Sequence, residues 1–219
     1  MGHALALACR RRGILSIELQ REGRSGRHEA YIWSSVPERG YEILPAVFWT
    51  WTQADADAIE TWTRTLKRPW HSSIYGGHPQ LAAWLQRNDP EPSAVDASIN
   101  EVLANAPVER EILVALQMVG GHEDLWNALA SFIEAGPPQW RWWIRRHPST
   151  LQLGDQGLER LLAIKRPNVL VDLPSSVPLP SLLQHMDALV TATSGAAVEA
   201  SMLGVTMTYL PADANKVFM

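Results

Sequence analysis

Cysteine is nearly absent from the 219 residues: Cys9 stands alone, so neither an intramolecular disulfide nor a cysteine-rich zinc site can form. That usage fits a reducing compartment. Long hydrophobic runs are missing too, and none approaches the ~20 residues of a membrane-spanning helix. The apolar opening from Ala4 to Cys9 precedes Arg10, Arg11 and Arg12, which reverses the order of charge and apolar core in a secretory signal. Charge of one sign is lacking as well. Nineteen Lys and Arg against 23 Asp and Glu leave a net charge of −4, which supplies no global field for nucleic acid. No G-x-G-x-x-G follows the first strand, which argues against a dinucleotide dehydrogenase.

What is present is enough apolar sequence, 46%, to bury the core of one large domain or two small ones. From Glu111 onward, short apolar runs alternate with longer amphipathic ones, the pattern of a parallel sheet covered by helices. Five strands are expected, at 112–116, 140–146, 169–171, 188–191 and 205–209, with helices near 124–135, 155–165, 179–185 and 195–203. Gly136-Pro137-Pro138 and Gly204 supply stops. Before Pro107 the pattern is looser: helices at 4–12, 54–66 and 79–86, strands at 14–19, 42–51 and 72–75, and a polar loop from Arg21 to Arg39. Pro90 and Pro92 among turn formers mark a linker. The division expected is a partial α/β domain over 1–88, a linker over 89–107, and a doubly wound parallel α/β domain over 108–219.

Two segments carry chemistry. In Ala188 to Val205, a buried strand runs through small hydroxyl residues into a helix. Backbone N–H groups at Ser194, Gly195 and Ala196 would face an anion at the helix start, with Thr193 beside them. Glu199, one turn on, could accept hydrogen bonds from a ribose diol; Thr193 or Ser194 as a plain cap and Glu199 as a solvated residue is the other reading. In Trp140 to Pro148, a strand ends abruptly, because Pro148 cannot continue the ladder. Alternation places Arg141, Trp143, Arg145 and His147 on one side. His147 at a strand's carboxyl end could donate to a phosphate oxygen, with Arg145 or Arg146 adding charge; a loop histidine closing the strand is the alternative.

Together these segments resemble the C-terminal domain of two-domain GT-B glycosyltransferases, especially bacterial capsule and surface-polysaccharide enzymes and sialyltransferase-like enzymes with an Arg-x-His-Pro motif. Here that motif is Arg145-Arg146-His147-Pro148. Thr193-Ser194-Gly195 with Glu199 is similar to the segment that holds donor phosphate and ribose in those enzymes and in nucleotide-sugar 2-epimerases. In the first block, Gly13 to Gln20, Gly23, His28, Tyr31, Gly40 to Pro45 and Phe48 to Trp51 resemble the second half of an acceptor domain. Where related sequences carry Gln-His-Gly, this chain has Gln20-Arg21-Glu22-Gly23. Sialyltransferase-like families place an acidic pair before that glycine, and only Glu22 matches.

The resemblance implies transfer of a sugar from a CMP- or UDP-linked donor to a polysaccharide or glycolipid acceptor. Glu22 would be the general base and His28 the fallback. The donor is a substrate, and neither cofactor nor metal is called for. An epimerase or hydrolase of the same fold, or a truncated nucleotide-binding module without turnover, remains open. The implied setting is cytoplasmic, at the inner membrane face if the six arginines among the first 28 residues meet lipid headgroups. Self-association would cover open sheet edges. Asp55 and Asp57 read as carboxylates complementing a helix start, Asp124 reads as a cap, and the tryptophans read mainly as core, with sugar stacking by Trp33, Trp49 or Trp51 the alternative.

Overall fold

The computed structural model describes residues 2–21, 31, 35–67, 69–86, 94–116, 123–147, 158–192 and 194–210. The chain divides into two compact units, 1–87 and 88–219.

The first unit runs α1 (Gly2–Arg11), β1 (Ile17–Leu19), β2 (Val47–Thr50), α2 (Gln53–Thr63), β3 (Ser72–Tyr75) and α3 (Pro79–Leu85). Its three strands pair in parallel in the order β1-β2-β3. Phe48 faces α2, where Ile59 and Trp62 bury it together with Tyr31 and Leu44. Thr52 caps α2 by accepting the Asp55 N–H at 3.1 Å. The buried Asp55 carboxylate accepts instead from Gln20 Nε2 at 3.1 Å, and Gln20 Oε1 accepts the Trp51 N–H at 2.8 Å. His71 is held between the Tyr41 N–H, donated to Nε2 at 3.1 Å, and the Pro45 carbonyl, 2.8 Å from Nδ1. A carbonyl can only accept, so the proton sits on Nδ1. Gly40 makes room for this ring. It has φ 73°, and a Cβ there would lie 2.5 Å from His71 Nε2.

The second unit runs α4 (Ala94–Asn105), β4 (Arg110–Ala115), α5 (Glu123–Ala135), β5 (Trp140–Arg145), α6 (Glu159–Leu162), β6 (Val169–Leu170), α7 (Asp172–Ser176), α8 (Leu179–Leu183), β7 (Ala188–Thr191), α9 (Ala196–Met202) and β8 (Thr206–Tyr209). Every strand pairing is parallel, in the order β6-β5-β4-β7-β8. Side-chain alternation splits the core in two. Ile112, Val114, Trp142 and Ile144 pack against Trp126, Leu129 and Ile133 of α5 and Leu161 of α6. Leu113, Ala115, Trp143 and Leu189 pack on the opposite face against Ile99 of α4, Leu182 and Leu183 of α8, and Ala196, Ala197 and Ala200 of α9. Burial on both faces is why these strands read as continuous apolar runs.

The stretch expected as a linker departs from expectation. Ala94–Asn105 is helical, and Ile99, fully buried, seats it on the second unit's core. Val95, Ile99, Val102 and Leu103 repeat at helical spacing and outweigh the break set by Pro90 and Pro92. Tyr31, expected in a polar loop, is buried against Phe48. Of the helix expected at 155–165, residues 159–162 are helical and 155–157 lie outside the described residues. Among the described residues, no helix is long and apolar enough to cross a membrane.

Candidate functional site

The strand order of the second unit reverses direction at β4: β5 and β6 extend to one side, β7 and β8 to the other. A ligand crevice in an open parallel sheet lies beyond the carboxyl ends of the strands at such a switch point. Ala115, near the end of β4, pairs with Arg145 of β5 on one side and Thr191 of β7 on the other. Two strand spacings put those neighbours about 10 Å apart, bridged by a methyl-sized side chain. Thr191 is buried and its Oγ1 donates to the Ala115 carbonyl at 3.0 Å, which locks the end of β7 onto β4.

At the end of β5, Arg145 shares the Trp143 face, as alternation predicts. Expected to supply charge to a phosphate, its Nη1 donates instead to the carbonyls of Pro174 and Val177 at 2.5 and 2.6 Å. The Arg146 N–H donates to Ser175 Oγ at 3.1 Å, and its guanidinium lies 3.6 Å from Asp172. His147 follows, half-buried. Pro148 lies outside the described residues.

On the β7 side, Ser194 Oγ accepts the Ala196 N–H at 3.2 Å, and the Ser194 carbonyl accepts from Ala197. The Ala196 N–H, expected to face an anion, is thus satisfied within its own turn by the hydroxyl two residues back. Gly195 is exposed beside it. Glu199, in the first turn of α9, is half-buried. Burial pushes its carboxyl above the ordinary range, and attraction to Arg145 opposes that rise. Burial likewise pushes Arg145 downward, and Glu199 opposes it. Arg145 nonetheless keeps its charge, since guanidinium groups stay protonated in proteins.

The strand order therefore places Arg145, His147, Ser194, Gly195, Ala196 and Glu199 at the ends of two strands flanking one central strand. Glu22, His28, Thr193 and Trp33 lie outside the described residues. Trp51 is buried and stacked on His78 at 4.0 Å, so it is core and offers no sugar platform. Trp49 donates to the Gly77 carbonyl at 2.9 Å, and a Cβ at Gly76 would lie 2.0 Å from its ring. Trp126 and Trp142 are core as expected. The backbone carbonyls that take up Arg145 were illegible in sequence, because a carbonyl carries no residue-type signal. Among the described residues, no three His, Cys, Asp or Glu gather into a group that could hold a metal ion.

Comparison with known proteins bears on this arrangement. The family described as "Capsule polysaccharide biosynthesis protein" matches residues 116–211, the segment carrying both strand ends. Among solved structures, a Listeria monocytogenes protein assigned as a UDP-N-acetylglucosamine 2-epimerase superposes with TM-score 0.62 at 13% identity, covering 95% of this chain and 53% of that one. The fold is of the GT-B glycosyltransferase type. The UDP-GlcNAc 2-epimerase of Neisseria meningitidis, bound to UDP-GlcNAc, shares the GT-B architecture at TM-score 0.61 and 14% identity, over 98% of this chain and 57% of its own. Arabidopsis thaliana UGT89C1 complexed with UDP does so at 0.60 and 14%, over 96% and 51%. This chain spans about half the length of the GT-B structures it matches. No curated protein sequence matches it significantly.

Proposed function

We propose that the second unit binds the nucleotide of a CMP- or UDP-linked sugar at the carboxyl ends of β5 and β7, and that the chain serves transfer of that sugar to a polysaccharide or glycolipid acceptor. The observation carrying this reading is the switch point at β4, flanked by His147 on one side and by Ser194, Gly195 and Glu199 on the other. His147 donates to a phosphate oxygen of the donor, and the arginine-bearing strand end adds positive potential where the leaving phosphate gains charge. Glu199 accepts from the paired ribose hydroxyls. Glu22, with His28 as fallback, takes the proton of the acceptor hydroxyl. The scheme routes no step through a metal. A cytoplasmic setting at the inner membrane face suits a glycolipid acceptor.

The 2-epimerases among the matching folds favour a second reading, in which the same site isomerises or hydrolyses the nucleotide sugar. Calorimetric titration of the chain with UDP and CMP tests the binding step, and His147→Ala is expected to weaken it at least tenfold. Binding of neither nucleotide overturns both readings. Product analysis with UDP-sugar in the absence of acceptor separates them: free epimer or free sugar marks the second, and an intact donor marks the first.

A further inference from the structure

Exposed apolar side chains are distributed unevenly over the two units. Among the described residues, nine of the eleven large hydrophobic side chains that face solvent lie in the first unit. Five of them, Leu5, Ile14, Leu15, Ile17 and Leu19, fall between positions 5 and 19, and each is more than half exposed. Hydrophobic residues scattered singly over a surface are ordinary, but a cluster of this kind marks an interaction surface. The local structure holds it on the outside. Ala6 is buried, and the Arg10 guanidinium lies 3.7 Å over the Trp70 ring and 3.9 Å from Glu42, which seats α1 on its unit. The helix ends in a Schellman turn: the N–H of Gly13, at φ 67°, donates to the Arg10 carbonyl at 3.1 Å, and that of Ile14 to the Cys9 carbonyl at 2.9 Å. Exposed Arg11 and Arg12 therefore stand at the same end of the helix as Ile14 and Leu15. Ile17 and Leu19 carry the apolar character onto the sheet face away from α2, where Leu19 aligns through the half-buried Trp49 with Ile74.

Charge selects the occupant. The first seventeen residues hold three arginines and no carboxylate, +3, so the net −4 of the chain leaves −7 for the rest. An isologous second copy would set this basic end against itself. A bilayer of anionic lipid instead takes exposed apolar side chains into its headgroup–acyl boundary and pairs its phosphates with guanidinium groups. We propose that the end of α1 and the β1 row form a docking surface for an anionic lipid bilayer, with Ile14 and Leu15 entering the interface and Arg11 and Arg12 meeting lipid phosphates. This surface serves the membrane setting proposed above and is independent of the nucleotide site.

Co-sedimentation of the full chain with phosphatidylcholine vesicles, with and without phosphatidylglycerol, is the test. Binding is expected only with phosphatidylglycerol, and high salt should weaken it. Arg11→Gln/Arg12→Gln should lower the partition coefficient about tenfold or more at low salt, and by less at high salt. Ile14→Ser/Leu15→Ser should lower it at low and high salt alike. All four positions are exposed, so both variants should keep the urea midpoint of the unmodified chain. No sedimentation, equal binding to both kinds of vesicle, or unchanged binding of Arg11→Gln/Arg12→Gln overturns the docking surface. A concentration-dependent dimer in analytical ultracentrifugation that Ile14→Ser/Leu15→Ser dissolves, in place of vesicle binding, overturns it too and gives the surface to a second copy. Calorimetry with UDP on the same samples keeps the two readings apart: vesicle binding without nucleotide binding fails only the nucleotide site, and the converse fails only this surface.

Discussion

Both units are built from parallel strands, yet among the described residues the second sheet is buried on both faces, whereas α2 covers one face of the first and the reverse is buried only in part. In 88–219, Leu113 and Val114, adjacent in sequence and pointing opposite ways, are both fully buried, because α4, α8 and α9 cover one face and α5 and α6 the other. In 1–87, α2 covers the Phe48 face. On the reverse, Val47 of the central strand is buried and Trp49 half-buried, while their apolar neighbours on the flanking strands, Ile17, Leu19 and Ile74, are 52%, 53% and 44% exposed. Burial on both faces makes a strand expensive to alter anywhere along its length; burial on one face makes it expensive only at alternate positions.

The sharpest break of this comparison is truncation at matched depth in the sheets. Trp143→Ala, at a fully buried indole in the middle of β5, should cost about 3–5 kcal/mol in the second unit. Leu19→Ala, on the open row of β1, should cost less than about 1 kcal/mol. Urea denaturation of each variant measures both, and equal losses would show that the β1 row is covered in solution.

Next in size is Glu111→Ala. Glu111 Oε2 accepts from Trp143 Nε1 at 2.6 Å, and its carboxylate lies 3.3 Å from the buried Arg141 guanidinium, which also donates to the carbonyls of Val102 and Ala106. Removal strands a buried cation, so a loss of roughly 3 kcal/mol is expected by the same assay. Glu111→Gln, which keeps an acceptor for the indole, should lose less.

Acid should then separate contributions within the two units. Burial holds the folded His71 and His78 below the ordinary histidine value of 6.5. As pH falls below about 6.5, the unfolded chain takes up these protons first, so the stability they provide is complete above that pH and is lost below it. Glu111 runs oppositely: burial raises its folded value above 4.5, so its contribution is present in acid and is lost as pH rises through the folded value. His185 of the second unit follows the first pattern. Thermal melts between pH 7.5 and 5.5 should therefore show a shallower acid loss in His71→Gln than in the unmodified chain; an identical slope would remove His71 from the account.

The smallest effect belongs to exposed ion pairs. Lys67 and Glu38 lie 2.5 Å apart but are 74% and 69% exposed, and Lys67→Ala should change stability by less than about 1 kcal/mol.

Legibility in the sequence followed the same division. Ile112 to Leu116 and Ala188 to Thr191 announced their strands because burial on both faces leaves an uninterrupted apolar run. The β2 strand was expected over ten residues and occupies four, because Glu42 to Ala46 continue its apolar character while turning to wrap His71. Ala94–Asn105 was obscured by the prolines before it, although its helical apolar spacing was readable. At the candidate site, the strand ends carrying His147 and Ser194 were legible from small residues, a proline stop and alternation. The fate of the Arg145 side chain was not, since its carbonyl partners stand 29 and 32 residues away.

The order of apolar runs and stops thus determined by itself that parallel strands and helices alternate here, because periodicity and turn chemistry are local properties. Tertiary structure alone decided that β4 lies between β5 and β7, that Ala115 separates Arg145 from Thr191, and that the Arg145 guanidinium donates to the Pro174 and Val177 carbonyls. Strand order and long side-chain reach depend on which distant surfaces meet, and no local pattern encodes that.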